Sequence, residues 1–231
     1  MAGHFNSLVP NTDPSPPSVE QPAIRQPSLA LTAVAAIVLS AMVLIGMFWP
    51  SSSLEVKFLL WIGESLGTSL DDIMHAMDVV GDVGTMSIAL LVLAVLVSFR
   101  RGFRPAAAVL VTGVAALLVN VGLKVLVARP RPGLWVAEVD SSYSLPSGHA
   151  LLFAVFVLLA YELWPWDRWR RPLAIVGFLL VGLMGLSRLY LGEHYFSDVV
   201  ASYSVAILAW VGYRKMTSRS SLSSRQVVER G

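Results

Sequence analysis

Apolar residues in this chain come in long, nearly unbroken runs. The first, Leu29 to Trp49, carries no charge and stops before Pro50. Others cover Val83 to Phe99, Pro105 to Val127, His149 to Trp164, Pro172 to Tyr190 and Asp198 to Tyr213. A helix needs about 20 apolar residues to cross the hydrocarbon core of a bilayer, and shorter runs extend into the interface or lie beside neighbouring helices. The pattern predicts an all-α integral membrane bundle of six transmembrane helices forming one domain over residues 29–213. Disordered cytoplasmic tails are expected over 1–28 and 214–231. The first tail is rich in Pro, Ser, Asn and Gln and lacks the apolar stretch of a signal peptide. The second is rich in Ser and Arg.

Between the first two runs the period changes. Phe58, Ile62, Leu66, Leu70, Met74 and Met77 recur every three or four residues, the spacing of an amphipathic helix. The polar positions are mostly acidic: Glu55, Glu64, Asp71, Asp72, Asp78 and Asp82. One or two short helices lying on the outer interface are expected, serving either as a cap on the bundle or as a gate for substrate. His75 falls here as a lone histidine with little claim to catalysis.

Composition strengthens the membrane reading. Of the 231 residues only 14% are charged, against roughly 25% in a soluble domain, and mean hydropathy is +0.67. There is no cysteine, so neither disulfides nor thiol chemistry are available. The net charge of +2 matters less than its distribution. Arg25, then Arg100, Arg101 and Arg104, then Arg168, Arg170 and Arg171, then Arg214, Lys215 and Arg219 all fall on one side of a six-span layout. Lys and Arg flank helices on the cytoplasmic side, so both termini are expected there. Lys57, Lys124, Arg129, Arg131 and Arg188 fall on the outer side.

Ionisable groups beside a span are costly and by default mark function. Three outer clusters qualify: "KVLVARPRP" from Lys124, "PSGH" ending at His149, and "SRLYLGEHYFSD" ending at Asp198. The guanidinium forks and the Lys ammonium suit phosphate oxygens, although snorkelling to lipid headgroups explains any one of them equally well. Arg129 has the weakest claim. Ser147 and Gly148 open a helix whose free N–H groups can bind an anion, with Ser147 also a plain N-cap. His149 in the first turn can carry a proton to a leaving oxygen. His194 and Asp198 are four residues apart, so the carboxylate can fix the imidazole tautomer and leave the other nitrogen free to attack, although alone such a pair reads first as a cap or a surface pair.

The order K-x6-RP, PSGH, SR-x5-H-x3-D resembles the three-part signature of the type 2 phosphatidic acid phosphatase and vanadium haloperoxidase superfamily, in its membrane-bound lipid phosphatase branch. Lys124, Arg131, Pro132, Pro146, Ser147, Gly148, His149, Ser187, Arg188, His194 and Asp198 match every fixed position. The resemblance implies His194 as nucleophile forming a phosphohistidine, Asp198 as its orienting carboxylate and His149 as proton donor to the leaving group. Lys124, Arg131, Ser147, Gly148 and Arg188 would bind the phosphoryl group. It implies a lipid phosphate substrate held in the bilayer: undecaprenyl diphosphate, phosphatidylglycerophosphate or phosphatidic acid. No metal or other cofactor is expected, because carboxylates do not share a metal-ligand spacing with the histidines. No nucleic-acid partner is expected. Two alternatives stay open: a lipid phosphotransferase using the same histidine, and a transporter with a polar path. The Gly/Pro-broken spans in matched halves that would favour a transporter are not found.

Overall fold

A computed structural model describes residues 28–134, 142–164 and 167–228. Among these residues every regular element is an α-helix: α1 (Leu29–Phe48), α2 (Ser53–Leu66), α3 (Asp71–Gly81), α4 (Val83–Arg101), α5 (Phe103–Val127), α6 (Gly148–Leu163), α7 (Asp167–Tyr190) and α8 (Phe196–Val228). Five of them, α1, α4, α5, α7 and α8, are long and apolar enough to cross a membrane. Their outward faces carry large apolar side chains, among them Ile37 at 68%, Ile88 at 65%, Leu118 at 67% and Phe178 at 78% exposure. Such continuous apolar surface is untenable in water and fits lipid contact.

The sixth apolar run forms α6, at 16 residues about 24 Å long. It is the central helix, packed on α4, α5, α7 and α8. Ala150 to Val155, Leu159 and Leu163 are buried along its length. Neighbouring helices enclose its first half, while Phe156, Val157, Leu158 and Ala160 further along are half-buried. Ser147 caps its start, the hydroxyl accepting from the Ala150 N–H at 3.4 Å. Close crossings elsewhere rely on small residues, as expected where lipid gives no hydrophobic drive between helices. A Cβ on Gly185 of α7 would lie 2.4 Å from the Tyr203 hydroxyl on α8.

Two boundaries differ from the sequence reading. The helix expected from Pro172 begins at Asp167, with Pro172 inside it as its sixth residue, where the ring removes the backbone bond to Arg168. The helix expected to end at Tyr213 continues to Val228. No Gly or Pro interrupts that stretch. The expected N-terminal tail up to Pro27 lies outside the described residues. The segment between α1 and α4 folds into two helices as its period implied. Leu59, Ile62, Met74 and Met77 turn inward, and His75 faces away from the bundle, exposed.

Chain direction places the three motif regions at one end of the bundle. The C-terminal end of α5, the start of α6, the end of α7 and the start of α8 meet there, beneath α2 and α3. The arginines at 100, 101, 104, 168, 170 and 171 gather at the other end.

Candidate active site

His194 precedes α8 and is 1% exposed. Its Nδ1 lies 3.7 Å from Asp198 Oδ2, an ion-pair separation longer than a hydrogen bond, and Nδ1 has no hydrogen-bond partner among the described residues. The opposite nitrogen, Nε2, lies 3.4 Å from Arg131 Nη1. A guanidinium donates and never accepts, so the nitrogen facing it holds the lone pair and the proton sits on Nδ1, toward Asp198. Burial pushes the His194 pKa down to about 4, opposed by Asp198 and assisted by the Arg131 and Lys124 charges. The ring is therefore neutral near pH 7, with its free nitrogen aimed among cations.

Asp198, in the first turn of α8, is 0% exposed and saturated with donors. Its Oδ1 accepts from Arg129 Nη1 at 2.6 Å, and its Oδ2 from the Tyr195 N–H at 2.8 Å and from the Ser144 hydroxyl. Arg129, given the weakest claim above, is thus the principal cation of this carboxylate. It is fully buried and bonded to Ser197 Oγ (2.7 Å), Glu55 Oε2 (2.6 Å) and the Pro50 carbonyl (3.0 Å), with its guanidinium 3.9 Å from the centre of the Tyr195 ring. Burial raises the Tyr195 pKa, keeping the phenol neutral beneath that cation.

Arg131, two residues on, has different partners. It bonds the Ser142 carbonyl (3.1 Å) and hydroxyl (2.9 Å) and lies 3.6 Å from Glu193. Lys124 donates to the Tyr143 carbonyl. Arg188, at the end of α7 and 0% exposed, donates from Nη1 to Asp78 (2.6 Å) and Glu193 (3.1 Å), and from Nε to Ser187 Oγ at 3.2 Å. Its Nη2 is buried without a partner among the described residues. His149 lies 3.2 Å from Asp78 through Nε2. The loop before α6 is pinned by the Asn120 amide on the Pro146 carbonyl (3.2 Å) and the Ser202 hydroxyl on the Ser147 carbonyl (3.0 Å).

The structure therefore brings Lys124, Arg131, Ser147, Gly148, His149, Arg188, His194 and Asp198 to one place. Sequence reasoning missed Arg129, Ser144 and Glu193, and it missed the acidic segment's own contribution. Glu55 of α2 and Asp78 of α3 reach into the site, and both were acidic positions of the amphipathic pattern. Chemically the arrangement offers a neutral imidazole with a lone pair toward the cations, three cations and a helix N-terminus for an anion, and a second imidazole. Among the described residues no group of His, Asp and Glu side chains is placed to hold a metal ion.

A sequence model of the PAP2 superfamily matches residues 105–221, half of the chain. The chain belongs to the PAP2 superfamily. It is 34% identical over 96 residues to phosphatidylglycerophosphatase B of Bacillus subtilis, covering 39% of this chain and 47% of that one. It is 29% identical over 131 residues to the undecaprenyl-diphosphatase of Sulfolobus acidocaldarius, covering 53% of this chain and 59% of that one. The matches thus span about half the length of these relatives. The crystal structure of a transmembrane PAP2-type phosphatidylglycerolphosphate phosphatase from Bacillus subtilis superposes with a TM-score of 0.64. That superposition covers 82% of this chain and 95% of the other at 21% identity, a shared fold.

Proposed function

We propose that this PAP2 protein is a membrane lipid phosphatase that removes the phosphate or diphosphate head of a lipid through a phosphohistidine on His194. One observation carries the reading: the lone-pair nitrogen of a neutral, buried His194 faces Arg131, with Lys124, Arg188 and the start of α6 around it, at the end of a lipid-facing bundle. A phosphoryl group entering there meets cations and backbone donors where its equatorial oxygens gather charge in the transition state. Nε2 of His194 attacks phosphorus, the phosphorus–oxygen bond to the lipid breaks, and His149 gives its proton to the departing oxygen. Water then attacks the phosphohistidine, its proton passes to His149, and phosphate leaves with His194 restored. Asp198 holds the Nδ1 proton throughout. Gly148 supports a close approach by the ligand. A Cβ there would meet only Val83 at 3.4 Å and Asn120 at 3.8 Å, so protein packing does not demand glycine.

In this reading α6 crosses with the five longer helices to make six spans. α2 and α3 lie on the outer interface of a bacterial inner membrane, and the arginine-rich end is cytoplasmic. The lipid tail stays in the bilayer while the head enters under α2 and α3. The names of the relatives favour undecaprenyl diphosphate and phosphatidylglycerophosphate, with phosphatidic acid sharing the same head chemistry.

The test uses the full chain in detergent with EDTA, given each of the three lipids and a soluble phosphate ester. Phosphate release is expected from at least one lipid. His194→Ala and His149→Ala each lower it by about two to four orders of magnitude while the protein stays folded. Brief mixing with labelled substrate traps an acid-labile phosphoenzyme in wild type and not in His194→Ala. Unchanged turnover in His194→Ala defeats the mechanism. Label passing to an added alcohol in preference to water identifies a phosphotransferase.

A further inference from the structure

α3 brings a carboxylate into the site that none of the three motifs contains. Met74, Asp78 and Gly81 share one face of α3, at i, i+4 and i+7. Met74 is buried, and Gly81 sits so close that a Cβ would lie 2.5 Å from Met184 Cε and 3.3 Å from His149 Cδ2. That approach puts one oxygen of Asp78 2.6 Å from Arg188 Nη1 and 3.2 Å from His149 Nε2. A carboxylate on these groups is either a plug that phosphate must expel or a fixture that phosphate joins.

The Arg188 fork favours the fixture. Nη1 serves Asp78 and Glu193, whereas Nη2 is buried and unpartnered among the described residues. Arg188 thus keeps a donor for a phosphoryl oxygen without releasing Asp78. The imidazole shows the same division. Nε2 lies 3.2 Å from Asp78 in an ion-pair contact, whereas Nδ1 has no carboxylate within ion-pair distance among the described residues. This mirrors His194, where a carboxylate lies near one nitrogen and leaves the other for chemistry.

Resting on the phosphatase reading above, we infer that Asp78 is the positioning carboxylate of His149. It holds the Nε2 proton, so that Nδ1 gives its proton to the departing lipid oxygen and then takes one from the attacking water. The charged groups facing the ring are Asp78 from α3, Asp82 at the start of α4, Arg188 from α7 and Arg131 from the segment before α6. Without Asp78 a single carboxylate opposes two guanidiniums, and the imidazolium gives up its proton more readily.

The experiment compares wild type, Asp78→Asn and Asp78→Glu as full chains in detergent, after thermal melts show each is folded. Rates are taken on a lipid phosphate, whose leaving alkoxide needs a proton, and on p-nitrophenyl phosphate, whose leaving group does not. Asp78→Asn is expected to lower kcat on the lipid about ten- to hundredfold, part of what an acid catalyst contributes. The nitrophenyl ester loses far less, and the basic limb of the lipid profile moves to lower pH. Asp78→Glu restores much of the lipid rate. Equal losses on both substrates with an unmoved pH profile overturn the assignment, as does failure of Asp78→Glu to recover any rate. Tighter inhibition by vanadate and a lower KM in Asp78→Asn also overturn it and establish the plug. If Asp78→Asn does not fold, the Asp78→Glu substrate ratio and pH profile decide alone, a match to wild type in both being the supporting result. Absence of lipid phosphate release by wild type defeats the underlying phosphatase reading instead.

Discussion

Replacing Arg129 with Met keeps most of its volume and removes the cation from the Asp198 cage. Arg129 and Asp198 are both 0% exposed, 2.6 Å apart, while the Glu55 side chain retains 15% exposure. Glu55 can turn to water, so the cost concentrates on Asp198. Breaking a buried pair from one side costs about 3–5 kcal/mol, because the surviving charge has lost its compensation. Ser144 and the Tyr195 N–H still bond Asp198, so the expected loss for Arg129→Met is about 3 kcal/mol, the lower end of that range. The unpaired carboxylate causes the loss, so Arg129→Met combined with Asp198→Asn is expected to recover most of it. Unfolding of wild type, both single variants and the double variant in mixed micelles, followed by tryptophan fluorescence, gives the coupling. A coupling of about 2 kcal/mol or more supports the argument. Losses that add to within about 0.5 kcal/mol refute it. Phosphate release separates fold from chemistry: the double variant is expected to be stable and inactive.

Two further outcomes follow from the same geometry. His194 binds its proton near pH 6.5 when unfolded and near 4 when folded, so the unfolded state takes up the proton first as pH falls. Its contribution to stability is intact above about pH 6.5 and declines toward pH 4 by up to about 3 kcal/mol, and the wild-type minus His194→Gln difference in unfolding free energy across that window measures it. A flat difference removes the case for a neutral buried ring. Gly148→Ala is expected to leave the melting temperature unchanged, since only ordinary contacts await the new Cβ, while KM for lipid phosphate rises about tenfold, or 1.4 kcal/mol. Lost stability with unchanged KM assigns the glycine to packing.

The apolar runs and the three motifs were legible because each is local. A helix of about 20 apolar residues, or a histidine four residues before a carboxylate, needs no knowledge of distant chain. What escaped is long-range. Arg129 and Arg131 flank Pro130 in an irregular stretch, where no helical or strand period tells which way either side chain turns. One enters the Asp198 cage 69 positions away while the other turns to His194. Nothing local distinguishes them, and judging either by its resemblance to a snorkelling cation ranks them wrongly. Asp78 meets Arg188 across 110 positions, and its neighbours Asp72 and Asp82 are equally acidic. Only the bare Gly81, letting α3 settle onto His149 and Met184, selects it. The length of α8 escapes for the opposite reason: a Ser/Arg-rich composition suggests that the helix stops at Tyr213, although no Gly or Pro in 214–228 breaks it. Composition reports what a segment cannot bury, whereas helix termination requires a breaker or a cap, and the second criterion is the one the backbone obeys here.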